Sequence, residues 1–319
     1  MGGLDRTVSH GATLDRVLVR APGKLNVFFA VGDVQPDGYH DVASVYQAVS
    51  AVEEVVATPS DDFTIAVTGS VDVEGVPLDD RNLAIRAARL LASETGYTGG
   101  VHLVVDKHVP VAGGMGGGSA DAAAALVACD ALWRTGLPVA RLHDLASRLG
   151  ADVPFALLGG TAVGTGRGDQ LSPALARGRF DWVLVTDGEG LSTPVVYGEL
   201  DRLRAQRRPD IAPDAGDPVV DPQVLQALRA GDAATLARAA RNDLQAAACA
   251  LRPALADLVA DGIGHGALTG LVSGSGPTVA FLAADPDAAA MIGERLAEEG
   301  HDVRHVHGPV GGTRVVSAS

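Results

Sequence analysis

Lysine is almost missing from this chain of 319 residues: Lys24 and Lys107 stand against twenty-three arginines. Where the wide guanidinium fork has taken nearly every basic position, a retained lysine marks a place that suits a compact ammonium. Cysteine is as scarce. Cys129 and Cys249, one in each half and each inside an alanine-rich helical stretch, supply neither a disulfide framework nor a metal-ligating set, and read as small buried hydrophobes. Positive charge is short overall, with 25 basic side chains against 39 acidic ones and a net charge of −14, which speaks against nucleic acid or an anionic membrane as partner. No run of about eighteen apolar residues occurs, and the first positions, with Asp5, Arg6, Ser9 and His10, lack a signal-peptide core. A soluble, cytoplasmic protein is expected. With 47% apolar and 20% charged residues the chain is globular, and its length predicts two domains, 1–175 and 176–319.

Glycine, in contrast, is plentiful, and it is concentrated where it matters. The stretch Pro110 to Asp121 holds Gly113, Gly114, Gly116, Gly117 and Gly118, five glycines in six positions. Upstream, Val101 to Val105 alternates like a strand. Downstream, Ser119 to Arg134 reads as an amphipathic helix ended by Gly136, with Ala122, Leu126, Cys129 and Trp133 as its buried stripe. Strand, glycine loop and helix N-terminus form a cradle in which backbone amides approach a phosphate closely. Two familiar cradles are excluded: the Walker pattern needs a lysine before Ser119, where Gly118 stands, and the dinucleotide fingerprint needs a third glycine where Ser119 stands. An acidic protein that holds a polyphosphate must do so with amides, a helix dipole and a few placed cations. A flexible linker is the competing reading, but linkers are not normally wedged between a strand and a helix.

Along the chain, residues 16–31 read as two strand runs broken at Ala21-Pro22-Gly23, and Lys24 and Asn26, two apart, share a face. Asp33 to His40 is a turn-rich loop ending in Tyr39 and His40, a pair able to stack on a planar base. Asn82 to Thr95 is a helix with Leu83, Ala87, Leu90 and Leu91 inward. Asp152 precedes Pro154 at a helix start, and spacing alone leaves helix cap and catalytic carboxylate both open. Gly159 to Gly168 is a second glycine-rich passage of strand edges and turns. Arg207 to Pro222 is a proline-rich surface excursion, Asp232 to Ala248 one helix, and Val303 to Val306 the last strand.

Taken together, these stretches resemble the GHMP small-molecule kinases. The match is carried by Pro22-Gly23-Lys24-Leu25-Asn26, Asp37-Gly38-Tyr39-His40, Pro110 to Asp121, Gly150-Ala151-Asp152-Val153-Pro154, Asn242-Asp243-Leu244 and Ser273-Gly274-Ser275-Gly276-Pro277, in the right order over nearly the whole chain. It departs from the family's usual pattern at Gly23, Gly114, Met115, Ala120 and Gln245. The resemblance implies an α+β fold, an N-terminal ribosomal-protein-like domain joined to a C-terminal ferredoxin-like domain, with the active site in the cleft between them. ATP is implied as co-substrate, with Mg²⁺ beside it, over Pro110, Gly113, Gly114, Gly116, Gly117, Gly118 and Ser119, with Asn82 and Lys107 toward the adenine. Asp152 becomes the catalytic base and Lys24 the neighbouring cation. Asn26, Asn242, Ser275 and Gly276 would bind the small-molecule substrate, and Tyr39, His40 and Tyr197 would hold a cytosine. The branch it is most similar to phosphorylates the 2-hydroxyl of a cytidine diphosphate-linked methylerythritol. A family member with another alcohol, or a silent nucleotide sensor, is the rival expectation.

Overall fold

A computed structural model describes residues 14–111, 113–186, 190–206 and 217–319. In chain order the strands are β1 (Val17–Val34), β2 (His40–Ser60), β3 (Phe63–Gly69), β4 (Gly100–Lys107), β5 (Thr161–Thr165), β6 (Gln170–Pro173), β7 (Phe180–Thr186), β8 (Arg241–Asn242), β9 (Thr269–Val272), β10 (Val279–Leu282), β11 (Asp302–Gly308) and β12 (Arg314–Ala318). The helices are α1 (Leu83–Thr95), α2 (Gly117–Trp133), α3 (Val139–Leu149), α4 (Val153–Leu158), α5 (Thr193–Gln206), α6 (Pro222–Ala230), α7 (Ala233–Ala239), α8 (Gln245–Leu251), α9 (Ala254–Gly264) and α10 (Pro286–Glu298).

The hairpin β1–β2 is the spine. It anchors a sheet of order β12-β1-β2-β4-β3, in which β2 also pairs with β5 and β1 with β8; β11-β7-β10-β9 form a second, antiparallel sheet. Val17, Val19 and Ala21 at the start of β1 belong to the core under α1 to α4, whereas Leu25, Val27 and Phe28 further on pack with Phe180, Trp182 and Leu282 of the second sheet. One long strand therefore serves both cores. We propose the division at 175/176, which falls between β6 and β7, although β8 and β12 return to the first sheet.

Several expectations change. The break at Ala21-Pro22-Gly23 is a register shift inside one continuous strand, which accommodates a proline that has no N–H to donate. Helix α2 is not amphipathic: Ala122, Ala123, Ala124 and Ala125 are all fully buried, because the helix is packed on several sides and small side chains allow that approach. In α1 the inner face is Ala84, Ile85, Ala87, Ala88, Leu91 and Ala92, with Leu83 and Leu90 only partly covered. The single helix expected over Asp232 to Ala248 breaks into α7 and α8 so that β8 can pair with Phe28 and Phe29. A further strand, β12, follows β11 and pairs with β1. Most of the proline-rich excursion, 207–216, lies outside the described residues; Pro222 is instead the first residue of α6, capped by Asp221.

Leu126 lies wholly buried in α2 and Leu175 is 74% exposed. Leu126→Ala is expected to lower unfolding free energy by about 2–5 kcal/mol and Leu175→Ala by less than about 0.5 kcal/mol, read from urea unfolding curves.

Candidate active site

Lys24 and Asn26 point the same way from β1, as the two-residue strand period requires. Lys24 Nζ donates to Asn26 Oδ1 at 2.6 Å, and Asn26 Nδ2 donates to Ser44 Oγ at 2.7 Å. Asp152 Oδ2 stands 3.8 Å from the same ammonium. Its carboxylate makes no capping bond to α4, and its φ of −86° and ψ of −11° are helical. The helix-cap alternative therefore falls, and the side chain faces Lys24. Burial pulls the Lys24 ammonium below its ordinary pKa, with Asp152 opposing the shift. Both line a cavity of about 240 Å³ with Asn26, Tyr46, Gly116 and Gly274.

The glycine loop closes one wall. Lys24 N–H donates to Met115 O at 2.9 Å, which ties the loop to β1. Gly114 has φ +74°, and a Cβ there would sit 2.1 Å from Ser273 O; Gly116 has φ +71° and would meet Lys24 Cγ at 3.3 Å. At Gly113 a Cβ would overlap Thr278 Oγ1, with buried Pro110 behind it. Helix α2 starts at Gly117 with no side-chain cap and no acidic residue in its first turn. The amides of Gly117, Gly118 and Ser119 thus head a helix without a side-chain cap, with the Glu53 carboxylate beside Gly117.

Opposite lies the loop between β9 and β10. Asn242 was expected to contact substrate, but its amide is fully used: Nδ2 donates to Val272 O and Gly274 O, both at 2.7 Å, and Oδ1 accepts from Leu244 N–H. It shapes the loop and does not line the cavity. Ser275 does line it, bonded to Thr193 Oγ1 at 2.9 Å, whereas Gly276 turns behind with φ +81° against Val272. A second cavity, of about 510 Å³, holds Tyr39, His40, Tyr197 and Asp201. The His40 and Tyr197 rings are 5.0 Å apart, and His40 Nε2 lies 2.9 Å from Asp201 Oδ1. The two cavities share Arg167, Thr193 and Tyr197.

Comparison with known proteins places the chain in a family. The family models described as GHMP kinases N terminal domain and GHMP kinases C terminal match residues 82–160 and 224–302. A protein of Leifsonia xyli subsp. xyli named 4-diphosphocytidyl-2-C-methyl-D-erythritol kinase is 59% identical over 95% of this chain and 100% of its own. The chain belongs to the GHMP kinase family. The Mycolicibacterium smegmatis protein of the same name is 49% identical over 98% of this chain and 96% of its own. A solved 4-(cytidine 5'-diphospho)-2C-methyl-D-erythritol kinase superposes with a TM-score of 0.71 at 33% identity, over 92% of this chain and 99% of that one. Homoserine kinase from Cytophaga hutchinsonii shares the fold alone, with a TM-score of 0.68 at 19% identity over 97% of this chain and 100% of that one. As a GHMP kinase the protein is a small-molecule phosphotransferase with ATP as co-substrate.

Two residues expected beside the nucleotide are committed elsewhere in this kinase. Asn82 caps α1, its Oδ1 accepting from Ala84 N–H while Nδ2 donates to Pro77 O. Lys107 is buried, its ammonium donating to Glu53 Oε1 at 2.8 Å and Asp121 Oδ2 at 2.6 Å. Tyr46, Ser44, Arg167, Thr193 and Asp201 were not anticipated. Tyr46 faces opposite to Val45 and Gln47 on β2, so strand alternation could have flagged it, and Arg167 sits in the second glycine-rich passage. Serine, threonine and aspartate at the other positions carried no pattern.

Glu53 is pushed up to about 7, first by burial and then by the Asp121 charge, against the lowering effects of Lys107 and the His108 N–H. Its ordinary value is 4.5. Between these values the native state holds a proton that the unfolded chain has released, so this contribution to stability is complete below the lower value and is lost as pH rises through the upper one. Melting curves between about pH 5 and pH 8 should show the midpoint falling less with pH in Glu53→Gln than in the unaltered protein; equal slopes would reject the assignment.

Proposed function

We propose that this kinase transfers the terminal phosphoryl group of ATP to the 2-hydroxyl of 4-diphosphocytidyl-2-C-methyl-D-erythritol, giving the 2-phosphate and ADP, in the non-mevalonate route to isoprenoid precursors. The observation that carries the reading is the joining of two unlike cavities. One holds an ammonium and a carboxylate beside the glycine loop, and the other is walled by Tyr39, His40 and Tyr197. A simple alcohol would need only the first, whereas a substrate ending in a pyrimidine needs both. The relatives' names supply the same acceptor.

Phosphoryl transfer asks for positioning and charge neutralisation more than for covalent chemistry. The amides of Gly117, Gly118 and Ser119 with the α2 dipole would seat the triphosphate. Lys24, with one of its three donors on Asn26, would keep the others for the phosphoryl in flight and the acceptor oxygen. Asp152, 30% exposed in its side chain, would orient the hydroxyl and accept its proton. Asn26 and Ser275 would border the acceptor, and Tyr39, His40 and Tyr197 its base. Among the described residues no three His, Cys, Asp or Glu side chains converge into a metal cage. Magnesium there would be held chiefly by phosphate oxygens and water, with the cavity carboxylate Asp152 available to it, and would neutralise phosphate charge.

A coupled assay of ADP release against this acceptor, homoserine and mevalonate should give turnover with the first alone; turnover with either other alcohol instead would overturn the assignment. Asp152→Asn should cost about 10²–10⁴-fold in kcat while calorimetry finds ATP affinity changed by less than about twofold. Survival of turnover would remove Asp152 from the chemistry.

A further inference from the structure

The second glycine-rich passage has no role in the account above, yet its Arg167 lies at the junction of the two cavities. Of the three residues that line both, Arg167 is the cation, beside the neutral Thr193 and Tyr197. Its place is fixed from three sides. The turn between β5 and β6 that carries it has φ +65° at Gly166 and φ +93° at Gly168, and Val42 N–H donates to Gly166 O at 2.8 Å, which ties the turn to β2. A Cβ on Gly168 would come within 2.4 Å of the Tyr46 hydroxyl, so the backbone is pressed against that strand. The guanidinium lies 4.0 Å from the centre of the Tyr39 ring and donates to Asp37 Oδ2 at 2.7 Å.

We propose that Arg167 binds the diphosphate of the acceptor substrate and so sets the preference for a diphosphate-linked base. The inference rests on the acceptor reading of the preceding subsection and deepens it. A molecule with its base in the larger cavity and its reacting hydroxyl near Asp152 must lay the group that links them across the junction. That linker is an anion, in a chain with a net charge of −14, and it needs a local cation. Lys24 is at the catalytic end, bonded to Asn26 and facing Asp152. Arg167 has five N–H groups in one plane, and the bond to Asp37 uses one of them while the Tyr39 ring supports the face. Asp37 and Tyr39 belong to the segment that also carries His40. The contacts that would hold the base thus also aim the cation, and little freedom remains to be lost on binding.

Calorimetric titration of the full chain with CDP and, separately, with cytidine tests this. Arg167→Gln should weaken CDP by about 10–100-fold and cytidine by less than about twofold, with ATP affinity unchanged. Arg167→Lys, which keeps the charge but not the fork, should fall between. CDP affinity should also depend less on salt in Arg167→Gln than in the unaltered protein. Equal losses for CDP and cytidine would reduce Arg167 to a prop for Tyr39, and no loss for either would remove it from the site. If the unaltered protein binds neither CDP nor cytidine, the acceptor reading itself fails, and this inference with it.

Discussion

Everything at this site depends on keeping one ammonium charged while it is buried. Lys24 is 7% exposed, and desolvation works against its charge. An isolated cation at that depth would shed its proton, so the surroundings must compensate without cancelling the charge. Asn26 contributes a short neutral hydrogen bond, and Asp152 a carboxylate at 3.8 Å rather than in contact. Asn26 in turn is held by Ser44, whose hydroxyl donates to Phe28 O. The hairpin β1–β2 supplies every member of this chain except Asp152. That explains why one strand pair extends through both cores: the ammonium is fixed to the most constrained backbone in the molecule.

The glycine loop is shaped by the same crowding. Its backbone runs between Lys24 on one side and the turn at Ser273 on the other, with no room for a Cβ at Gly114 and little at Gly116. Behind it, α2 is buried by alanines on successive positions, which lets the helix approach the sheet and brings its uncapped N-terminus to the cavity. The close approach needs a backbone without side chains, and a phosphate seat would need the same.

Short-range rules reached as far as short-range causes. The two-residue strand period put Lys24 and Asn26 on one face, and the strand, glycine and helix order around Gly113 to Ser119 was legible because each part has a local signature. Asp152 was undecidable, since an N-cap and a cavity carboxylate occupy the same position in a sequence; its lack of a capping bond is a tertiary fact. Asn82 and Asn242 show the converse. Each spends its amide on backbone groups: at Asn82 as the cap of α1, which its place before the helix could have flagged, and at Asn242 on a distant loop, which no spacing reveals. The alanine run through residues 232–248 concealed the break around β8, because helix propensity says nothing of a partner strand more than two hundred residues earlier.

Lysine offers the sharpest case, because scarcity alone marked both copies and only their neighbours tell them apart. Lys107 touches two carboxylates, Glu53 and Asp121, and a second Asp121 oxygen is buried without a partner. Burial first, and then the Asp121 charge that one ammonium between two acids leaves uncompensated, drive Glu53 toward holding a proton. Such a lysine has no charge to lend to a phosphate; it ties the end of β4 and Asp121 of α2 to β2, and so spans the two ends of the glycine loop. Lys24 meets one carboxylate at 3.8 Å and a neutral amide, and its ammonium lines the cavity. The count and distance of acidic neighbours, set by the fold, divide one residue type between holding a loop and lining the cavity.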